Sequence, residues 1–195
     1  MVAMWFVVGL GNPGAEYAQS RHNAGFRLVE IWAETLASQV QITQPPVWQT
    51  MKKIQAEVCK LDDWVFLKPQ TFMNASGSAI RAALDYFSQF NHQSLAAQQK
   101  ILSQVMVIHD DLDLEFGTAK LQFGKGPKIH NGLLSIYQHL GTQDFWHVRI
   151  GIDGRGGKRQ VPAKTYVLQS WTVEEQLAWQ KLPPQWLESW SARLK

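Results

Sequence analysis

The polar residues of this chain include histidine and aspartate side chains that could do acid–base chemistry. His22 stands in the polar segment Tyr17–Gly25, and Asp110 follows the apolar run Val105–Ile108. Histidine is the side chain most often used for general acid–base catalysis, and a carboxylate beside it orients the ring. Neither Ser20 nor Ser76 stands in a G-x-S-x-G elbow, and Cys59 falls on a predicted hairpin strand, where a cysteine is typically a small packing residue. A covalent mechanism therefore lacks a candidate nucleophile. A histidine and an aspartate without a nucleophile suit direct attack by water, with the histidine as the general base.

Side-chain amides accompany this pair, and amides can hold a substrate carbonyl group and its developing oxyanion. Simpler roles are open for some of them. Asn12 can be a turn residue before Pro13, and Asn74 can cap a helix that begins at Ala75. The amides in question are Asn12, Asn23, Asn74 and Asn131.

The elements that must position these groups alternate between strands and helices. The run Trp5–Val8 predicts a buried strand that stops at the loop Gly9–Gly14, and a helix is expected over about residues 26–37. Such a loop lies at the carboxyl edge of a sheet, where open α/β proteins bind ligands. A second buried strand, Val105–Ile108, is expected to end at His109.

The remaining pattern completes an α/β fold, a single domain over 1–195 in which helices flank a twisted mixed β-sheet. A hairpin is expected around Asp62, because apolar residues alternate before it and run together after it. Further helices are expected over about 75–90 and 130–140, where His130 can act as a cap, and further strands over 119–123 and 148–152.

The C-terminal segment, about 172–195, is expected to be helical. Thr172 and Glu175 form a capping-box pattern that opens a helix, which Pro183 and Pro184 are expected to end, with a second short helix over 185–194. A tryptophan stripe at helical spacing is more typical of a buried face than of a ligand site. Its members are Trp171, Trp179, Trp186 and Trp190.

Composition and charge limit the kinds of protein and of binding partner that fit this chain. No apolar run approaches the roughly 20 residues that a membrane span needs, and the N-terminus lacks the pattern of a secretory signal. The single cysteine, Cys59, fits a reducing cytoplasm. The net charge is only +3, yet residues 120–164 hold eight lysines and arginines against two aspartates. This asymmetry predicts a polyanionic partner, although a solvated basic surface is the simpler alternative.

Two cofactor hypotheses fit the sequence less well. Gly9-x-Gly11-x-x-Gly14 satisfies the dinucleotide fingerprint, but no helix is expected to start within it and Glu30 falls inside a helix instead of ending a second strand. His109-Asp110-Asp111 suggests a metal, but adjacent residues on a strand point to opposite faces. No paired Cys/His spacing supports a metal either. We therefore expect neither cofactor nor metal.

Taken together, these motifs resemble those of the bacterial peptidyl-tRNA hydrolase family along almost the whole chain. Their joint occurrence at these spacings is highly specific. The matching segments are Gly9–Gly14 with Tyr17-x-x-Ser20-Arg21-His22-Asn23-x-Gly25, Thr71-Phe72-Met73-Asn74-x-Ser76-Gly77, His109-Asp110-Asp111-Leu112-Asp113-Leu114, His130-Asn131-Gly132-Leu133 and Arg149-Ile150-Gly151-Ile152.

The resemblance implies a monomeric, cytoplasmic, metal-free esterase that cuts the ester between a peptide and the 3′-ribose of tRNA. It assigns His22 as the base and Asp110 as its orienting partner. The amides of Asn12 and Asn74 would hold the peptide backbone, and Asn131 would position the water or the oxyanion. Tyr17 and Met73 would line the cleft. Lys120 and Arg149 would approach tRNA phosphate.

The chain departs from the family where tRNA would dock. Segment 124–129 reads Gly-Lys-Gly-Pro-Lys-Ile in place of a run of glycines, and Gln122 and Leu134 stand where basic residues are usual. Lys125 and Lys128 are expected to offset the lost glycines by adding charge near phosphate. These departures keep two alternatives open. One is a non-catalytic RNA-binding protein of the same fold, as in splicing factors; the other is an esterase that acts on simple amino-acid esters.

Overall fold

In the computed structural model, which describes residues 4–42, 44–156 and 160–191, four parallel strands form the centre of a mixed sheet. Across the described residues the strand order is β2-β3-β4-β1-β5-β7-β6. Strands β4, β1, β5 and β7 run parallel, whereas β2, β3 and β6 run antiparallel to their neighbours. The strands are β1 (Trp5–Gly9), β2 (Gln49–Met51), β3 (Ala56–Leu61), β4 (Trp64–Pro69), β5 (Val105–Glu115), β6 (Ala119–Phe123) and β7 (Trp146–Asp153).

Helices cover both faces of this sheet, so the predicted α/β fold is confirmed. Helix α1 packs with the C-terminal helix α7 on one face, whereas α2 and α4 pack together on the other. The helices are α1 (Ala24–Gln39), α2 (Ser76–Ser88), α3 (Leu95–Leu102), α4 (Asn131–Leu140), α5 (Ala163–Leu168), α6 (Val173–Trp179) and α7 (Leu182–Ser191).

Two core layers result from the alternation of side chains along the central strands. Val7 and Met106 point to the α1 face, and Val8 and Val107 point to the α2 and α4 face. All four are fully buried. Because the parallel central strands are covered on both sides, they consist of continuous apolar runs. The predicted tryptophan face is also confirmed, since Trp171, Trp179 and Trp190 are buried against the α1 face.

The glycines of the first loop serve internal packing. A Cβ atom on Gly9 would lie 2.4 Å from the carbonyl oxygen of Gly25, and one on Gly25 would lie 2.4 Å from the backbone nitrogen of Leu10. A Cβ atom on Gly11 would lie within 2.7–2.9 Å of the Phe26 ring. These contacts let the start of α1 press against the end of β1. The glycine spacing is thus explained without a dinucleotide.

Two sequence predictions need correction. Strand β5 does not end at His109 but continues to Glu115, because it keeps pairing with β7 through Asp111 and again at Glu115. Pro183 and Pro184 do not end the first C-terminal helix; α6 stops at Trp179, and both prolines lie in the first turn of α7. Proline is tolerated there because the first-turn N–H groups have no partner within the helix. Residues 192–195 of the predicted helical segment lie outside the described residues.

Candidate active site

The carboxyl ends of β1, β4 and β5 meet at one edge of the sheet. The chain leaving β1 forms α1 on one face, whereas α4, which follows β5 and β6, lies on the opposite face. A crevice opens between neighbouring parallel strands whose connections go to opposite faces, and ligands bind there in open α/β sheets. The loops after β1 and β4 and the outer part of β5 therefore supply the residues of the site.

His22 and Asp110 meet at this edge although 88 residues separate them. His22 Nδ1 lies 2.8 Å from Asp110 Oδ1. Asp110 sits on β5 and is buried, and His22 sits in a three-residue 3₁₀ turn, Arg21–Asn23, ahead of α1. Since an ionised carboxylate only accepts hydrogen bonds, Nδ1 carries the proton and Nε2 keeps its lone pair. His22 thus has the tautomer that a general base requires.

His130 also binds Asp110, a contact that the sequence did not predict. His130 Nε2 lies 3.0 Å from the same Oδ1 atom. Its Nδ1 atom accepts the backbone N–H of Leu133, which confirms His130 as the cap of α4. Because Nδ1 accepts, Nε2 must carry the proton and donate it to the carboxylate. Asp110 therefore receives two N–H donors, and no local sequence pattern indicates the second one.

Electrostatics keep Asp110 ionised and make His22 more basic. Burial opposes the charge of Asp110, but His22 and His130 hold the pKa of its carboxyl group well below its usual range. Burial also lowers the pKa of His22, yet the charge and hydrogen bond of Asp110 outweigh burial and raise it above its ordinary value. The pKa of the neighbouring His109 is lowered by burial and by the nearby His130 and His147, so this ring is neutral.

The cavity at His22 holds polar groups suited to an ester and offers no covalent nucleophile. Asn131 lines it together with His22 and Asp110, and no serine, threonine or cysteine among the described residues does so. Apolar and basic side chains complete its wall, which encloses about 120 Å³. These further lining residues are Leu112, Pro127, Ile129, His130, Ala163, Lys164 and Val167.

The nucleophiles considered from the sequence are engaged elsewhere. Ser20 is buried and its hydroxyl group faces the side chain of Asn23, 3.4 Å away. The hydroxyl group of Ser76 donates to the carbonyl oxygen of Met73. Cys59 lies in the core on β3, and burial raises the pKa of its thiol. None of these three side chains is therefore placed to attack a substrate in the cavity at His22.

Asn12 and Asn74 have different surroundings. Asn12 is buried, and its Oδ1 atom accepts the backbone N–H of Met73 at 2.8 Å, which leaves Nδ2 as the group available to a ligand. Asn74 is exposed, and its side chain forms no hydrogen bond with the described residues. It does not cap α2, because that helix begins at Ser76 after Ala75 with no side-chain cap. The capping alternative for Asn74 is thus wrong.

Asn23 stabilises the loop after β1 and does not line the cavity at His22. It exchanges two hydrogen bonds with the backbone of Asn12, both 2.9 Å long. Met73 is also mainly structural, since its side chain is buried and a Cβ atom on Gly132 would lie 2.6 Å from its sulfur. Tyr17 is partly exposed and meets the ring of Phe72, which is 61% exposed, edge to face. This aromatic pair offers an apolar surface beside Asn74.

The predicted tRNA contacts fall into two groups. Lys120, Lys125 and Lys128 are exposed and form no ion pair with the described residues. Lys128 lines a cavity of about 340 Å³ that shares Leu112, Pro127, Ile129 and Ala163 with the His22 cavity. The three lysines are therefore available to phosphate.

Arg149, by contrast, is engaged within the protein. Its Nε atom lies 2.6 Å from Asp111 Oδ2, its Nη1 atom donates to Gln122 Oε1 at 2.8 Å, and only 7% of the residue is exposed. Gln122, the departure noted above, thus holds the guanidinium of Arg149. Lys120 lies directly opposite Arg149 in the β6–β7 ladder. Lys158 and Arg159, two of the eight basic residues counted between positions 120 and 164, lie outside the described residues.

Three groups at the site have the atom types of metal ligands. One atom each from His22, Asp110 and His130 lies within 4.8 Å of the others. Both imidazoles, however, donate hydrogen bonds to the same Asp110 oxygen, as the tautomer of His130 requires. The cluster is therefore explained as a hydrogen-bonded triad in which the carboxylate orients two rings.

Comparison with known proteins identifies the family. The profile of the family described as peptidyl-tRNA hydrolase matches residues 6–195. The chain belongs to the peptidyl-tRNA hydrolase family. The peptidyl-tRNA hydrolase of Corynebacterium efficiens is 40% identical over 172 residues, which cover 87% of this chain and 84% of that protein. The peptidyl-tRNA hydrolase of Bdellovibrio bacteriovorus is 37% identical over 175 residues, covering 88% and 83%.

Solved structures of peptidyl-tRNA hydrolases have the same fold. The crystal structure of the enzyme from Acinetobacter baumannii matches with a TM-score of 0.72 and 31% identity over 96% of this chain and 87% of that one. The sequence resemblance to the peptidyl-tRNA hydrolase family is thus confirmed, and the chain is an enzyme of this hydrolase class. Along the described residues, no helix combines the length and apolar character needed to cross a bilayer.

Proposed function

We propose that this protein hydrolyses the ester bond of peptidyl-tRNA, releasing peptide and free tRNA. The observation that carries the proposal is the contact between His22 Nδ1 and Asp110 Oδ1, in a cavity whose described lining holds no serine, threonine or cysteine. Family membership supplies the substrate class, since the relatives are peptidyl-tRNA hydrolases by name. No cofactor is required for this chemistry.

In the proposed mechanism His22 Nε2 removes a proton from water as the water attacks the ester carbonyl carbon. Asp110 holds the imidazole in place and stabilises the imidazolium that forms. Asn131, which lines the same cavity, positions the water or donates a hydrogen bond to the oxyanion. The tetrahedral intermediate then expels the ribose 3′-oxygen, which takes the proton back from His22. His130 acts through Asp110, because its Nε2 atom donates to the same carboxylate oxygen that holds His22.

The peptide side of the substrate is assigned to the loops after β1 and β4. Asn12 Nδ2 and the exposed amide of Asn74 would hold backbone groups of the peptide. Tyr17 would contact a peptide side chain, with Met73 behind it as support. Amides suit this role because a peptide backbone presents both donors and acceptors.

The tRNA side is assigned to the exposed lysines Lys120, Lys125 and Lys128. Their support is exposure and the cavity that joins Lys128 to the His22 cavity. Arg149 is proposed to add positive potential near phosphate, since its guanidinium is already held by Asp111 and Gln122. The family resemblance also implies a monomeric enzyme of the cytoplasm, and both features remain proposals.

The decisive assay compares N-acetyl-aminoacyl-tRNA with free aminoacyl-tRNA in the presence of EDTA. We expect only the N-blocked substrate to be cleaved, because the amide groups are suited to a peptide backbone and the mechanism requires no metal. Equal cleavage of both substrates would contradict the proposal. Binding of peptidyl-tRNA without release of peptide would instead support the RNA-binding alternative, and cleavage of simple amino-acid esters without tRNA would support the small-molecule esterase.

A further inference from the structure

A buried ion pair ties the residue next to His22 to the C-terminal part of the chain. Arg21 Nη2 lies 2.7 Å from Glu175 Oε2, and Arg21 Nε lies 3.3 Å from Glu175 Oε1. The two residues are 154 positions apart in the sequence and are 4% and 7% exposed. A bidentate guanidinium–carboxylate pair fixes orientation as well as distance. Arg21 immediately precedes His22, so this pair constrains the catalytic turn directly.

Further contacts of Arg21 strengthen the connection. Its guanidinium lies over the ring of Tyr166, 4.2 Å from the ring centre. Its Nη1 atom donates to the carbonyl oxygen of Gln169, which also accepts the backbone N–H of Arg21. Ser20 and Ser170 form an antiparallel bridge beside these bonds. The turn that carries His22 is thus attached to α5 and to the chain that follows it.

The partners of Arg21 are themselves held in place. Glu175 Oε2 also accepts the backbone N–H of Thr172, completing the capping box that starts α6. The hydroxyl group of Tyr166 donates to the carbonyl oxygen of Ile152 and accepts the N–H of Gly154 at the end of β7. The side of α5 that bears Ala163 and Val167 lines the His22 cavity. Helix α5 is therefore a wall of the site that is joined to the sheet, and α6 holds Arg21 through Glu175.

We propose that the Arg21–Glu175 pair positions the catalytic base, and that α5 is a fixed wall of the active site. The inference rests on the proposed function in that His22 is the base of the reaction. Among the described residues the His22 ring forms one side-chain hydrogen bond, to Asp110, so the direction of the ring depends on the placement of its backbone. Asn23 is fixed on one side by Asn12, and Arg21 is fixed on the other by Glu175. Loss of the pair allows the turn to shift and lengthens the His22–Asp110 contact.

The test uses two variants that disturb the pair differently. Glu175→Gln removes the charge but keeps a side chain that functions in a capping box, so α6 retains its start. Arg21→Met removes the guanidinium and leaves Glu175 unpaired. The matched control is Arg81→Met on α2. Arg81 likewise binds a carboxylate, that of Asp85, donates to the carbonyl oxygen of His139, and lies over an aromatic ring, Phe90, on the other face of the sheet.

We expect Glu175→Gln and Arg21→Met to lower kcat for peptidyl-tRNA at least tenfold, with KM changed less than threefold. The pH midpoint of kcat, and the pKa of His22 measured by NMR, should fall because the contact with Asp110 is weakened. Arg81→Met should leave all three values unchanged. The charged and titratable groups around His22 that bear on this titration are Arg21, Asp110, His109, His130 and Lys164.

Unchanged kcat and unchanged His22 titration in both variants, with only a lower melting temperature, would overturn the proposal and leave the pair a purely structural contact. If Arg21→Met does not fold, Glu175→Gln still decides the question. If the unmodified protein does not cleave peptidyl-tRNA, the proposed function fails. The NMR titration of His22 then still tests whether the pair sets its environment, because this measurement does not depend on activity.

Discussion

His22 and Asp110 are joined by a hydrogen bond of 2.8 Å at the carboxyl edge of the sheet. The bond fixes which nitrogen of the imidazole carries the proton, and it leaves Nε2 available in a cavity lined by Asn131. The proposed acid–base chemistry rests on this one contact. Replacing either residue should therefore lower the rate of hydrolysis while binding of the substrate is kept.

Replacing His22 with alanine should abolish general-base catalysis, which is typically worth about 10²–10⁴-fold in rate. Binding of peptidyl-tRNA should be kept, because the exposed lysines that would contact phosphate lie on other segments. Single-turnover hydrolysis together with filter binding measures both properties. A near-normal kcat, or a trapped acyl-enzyme on Ser20 or Cys59, would contradict the mechanism.

The pH profile should show His22 as a base whose pKa is raised. Burial lowers the pKa of His22, but Asp110 raises it further, to above the ordinary value. A general base acts when unprotonated, so kcat should rise with pH through this pKa and level off above it. Asp110→Asn removes the charge, so both kcat and the midpoint of the profile should fall. A midpoint that stays in place in this variant would mean that another group titrates.

His130 should contribute to catalysis through Asp110 and, separately, to stability as a helix cap. His130→Ala loses both contacts, and loss of the cap should cost about 1 kcal/mol of unfolding free energy. Asparagine is a good cap residue but is too short to replace Nε2 at Asp110. His130→Asn should therefore keep the melting temperature and still lower kcat, on the order of tenfold. Wild-type kcat in the asparagine variant would show that the cap is the whole role of His130.

Asn12 and Asn74 should respond differently to replacement by alanine. Asn12→Ala leaves the buried N–H of Met73 without its acceptor, a loss that costs about 1–3 kcal/mol. Asn74→Ala removes an exposed side chain, so stability should change by less than about 0.5 kcal/mol. Its kcat/KM should fall all the same, if the amide holds the peptide. Thermal unfolding and steady-state kinetics of both variants provide the comparison, and full activity of Asn74→Ala would remove this residue from the site.

Lys125 and Lys128 should appear in the salt dependence of tRNA binding. Each phosphate contact releases counterions, so the double change to alanine should flatten the slope of log K against log salt by roughly one to two units. Asn74→Ala is the control, since it removes no charge. An unchanged slope in the double variant would mean that both lysines only keep an exposed loop solvated. Phosphate contacts would then fall to Lys120 and to the basic residues after β7.

Local sequence determined much of the fold. The hairpin around Asp62, the strand over 119–123 and the capping box of Thr172 and Glu175 were all predicted, because each depends on neighbouring residues. The pair of His22 and Asp110 was inferred from residue type, motif order and family resemblance. Their distance along the sequence does not show that they touch. Because β1 and β5 are parallel neighbours, the loop after β1 and the outer part of β5 lie at the same edge of the sheet, where the two residues meet.

Other features depended on tertiary structure. Helix α5 was missed because six residues carry too little periodicity to predict it. Strand β5 extends to Glu115 because it pairs with β7. The aspartates in this part of the sequence do not indicate a strand. The second donor on Asp110 and the Arg21–Glu175 pair join segments that lie 20 and 154 residues apart. Sequence alone therefore determined which residues could do the chemistry. The packing of distant segments decided which of them meet, because hydrogen bonds and ion pairs act over about 3 Å, whatever their separation along the chain.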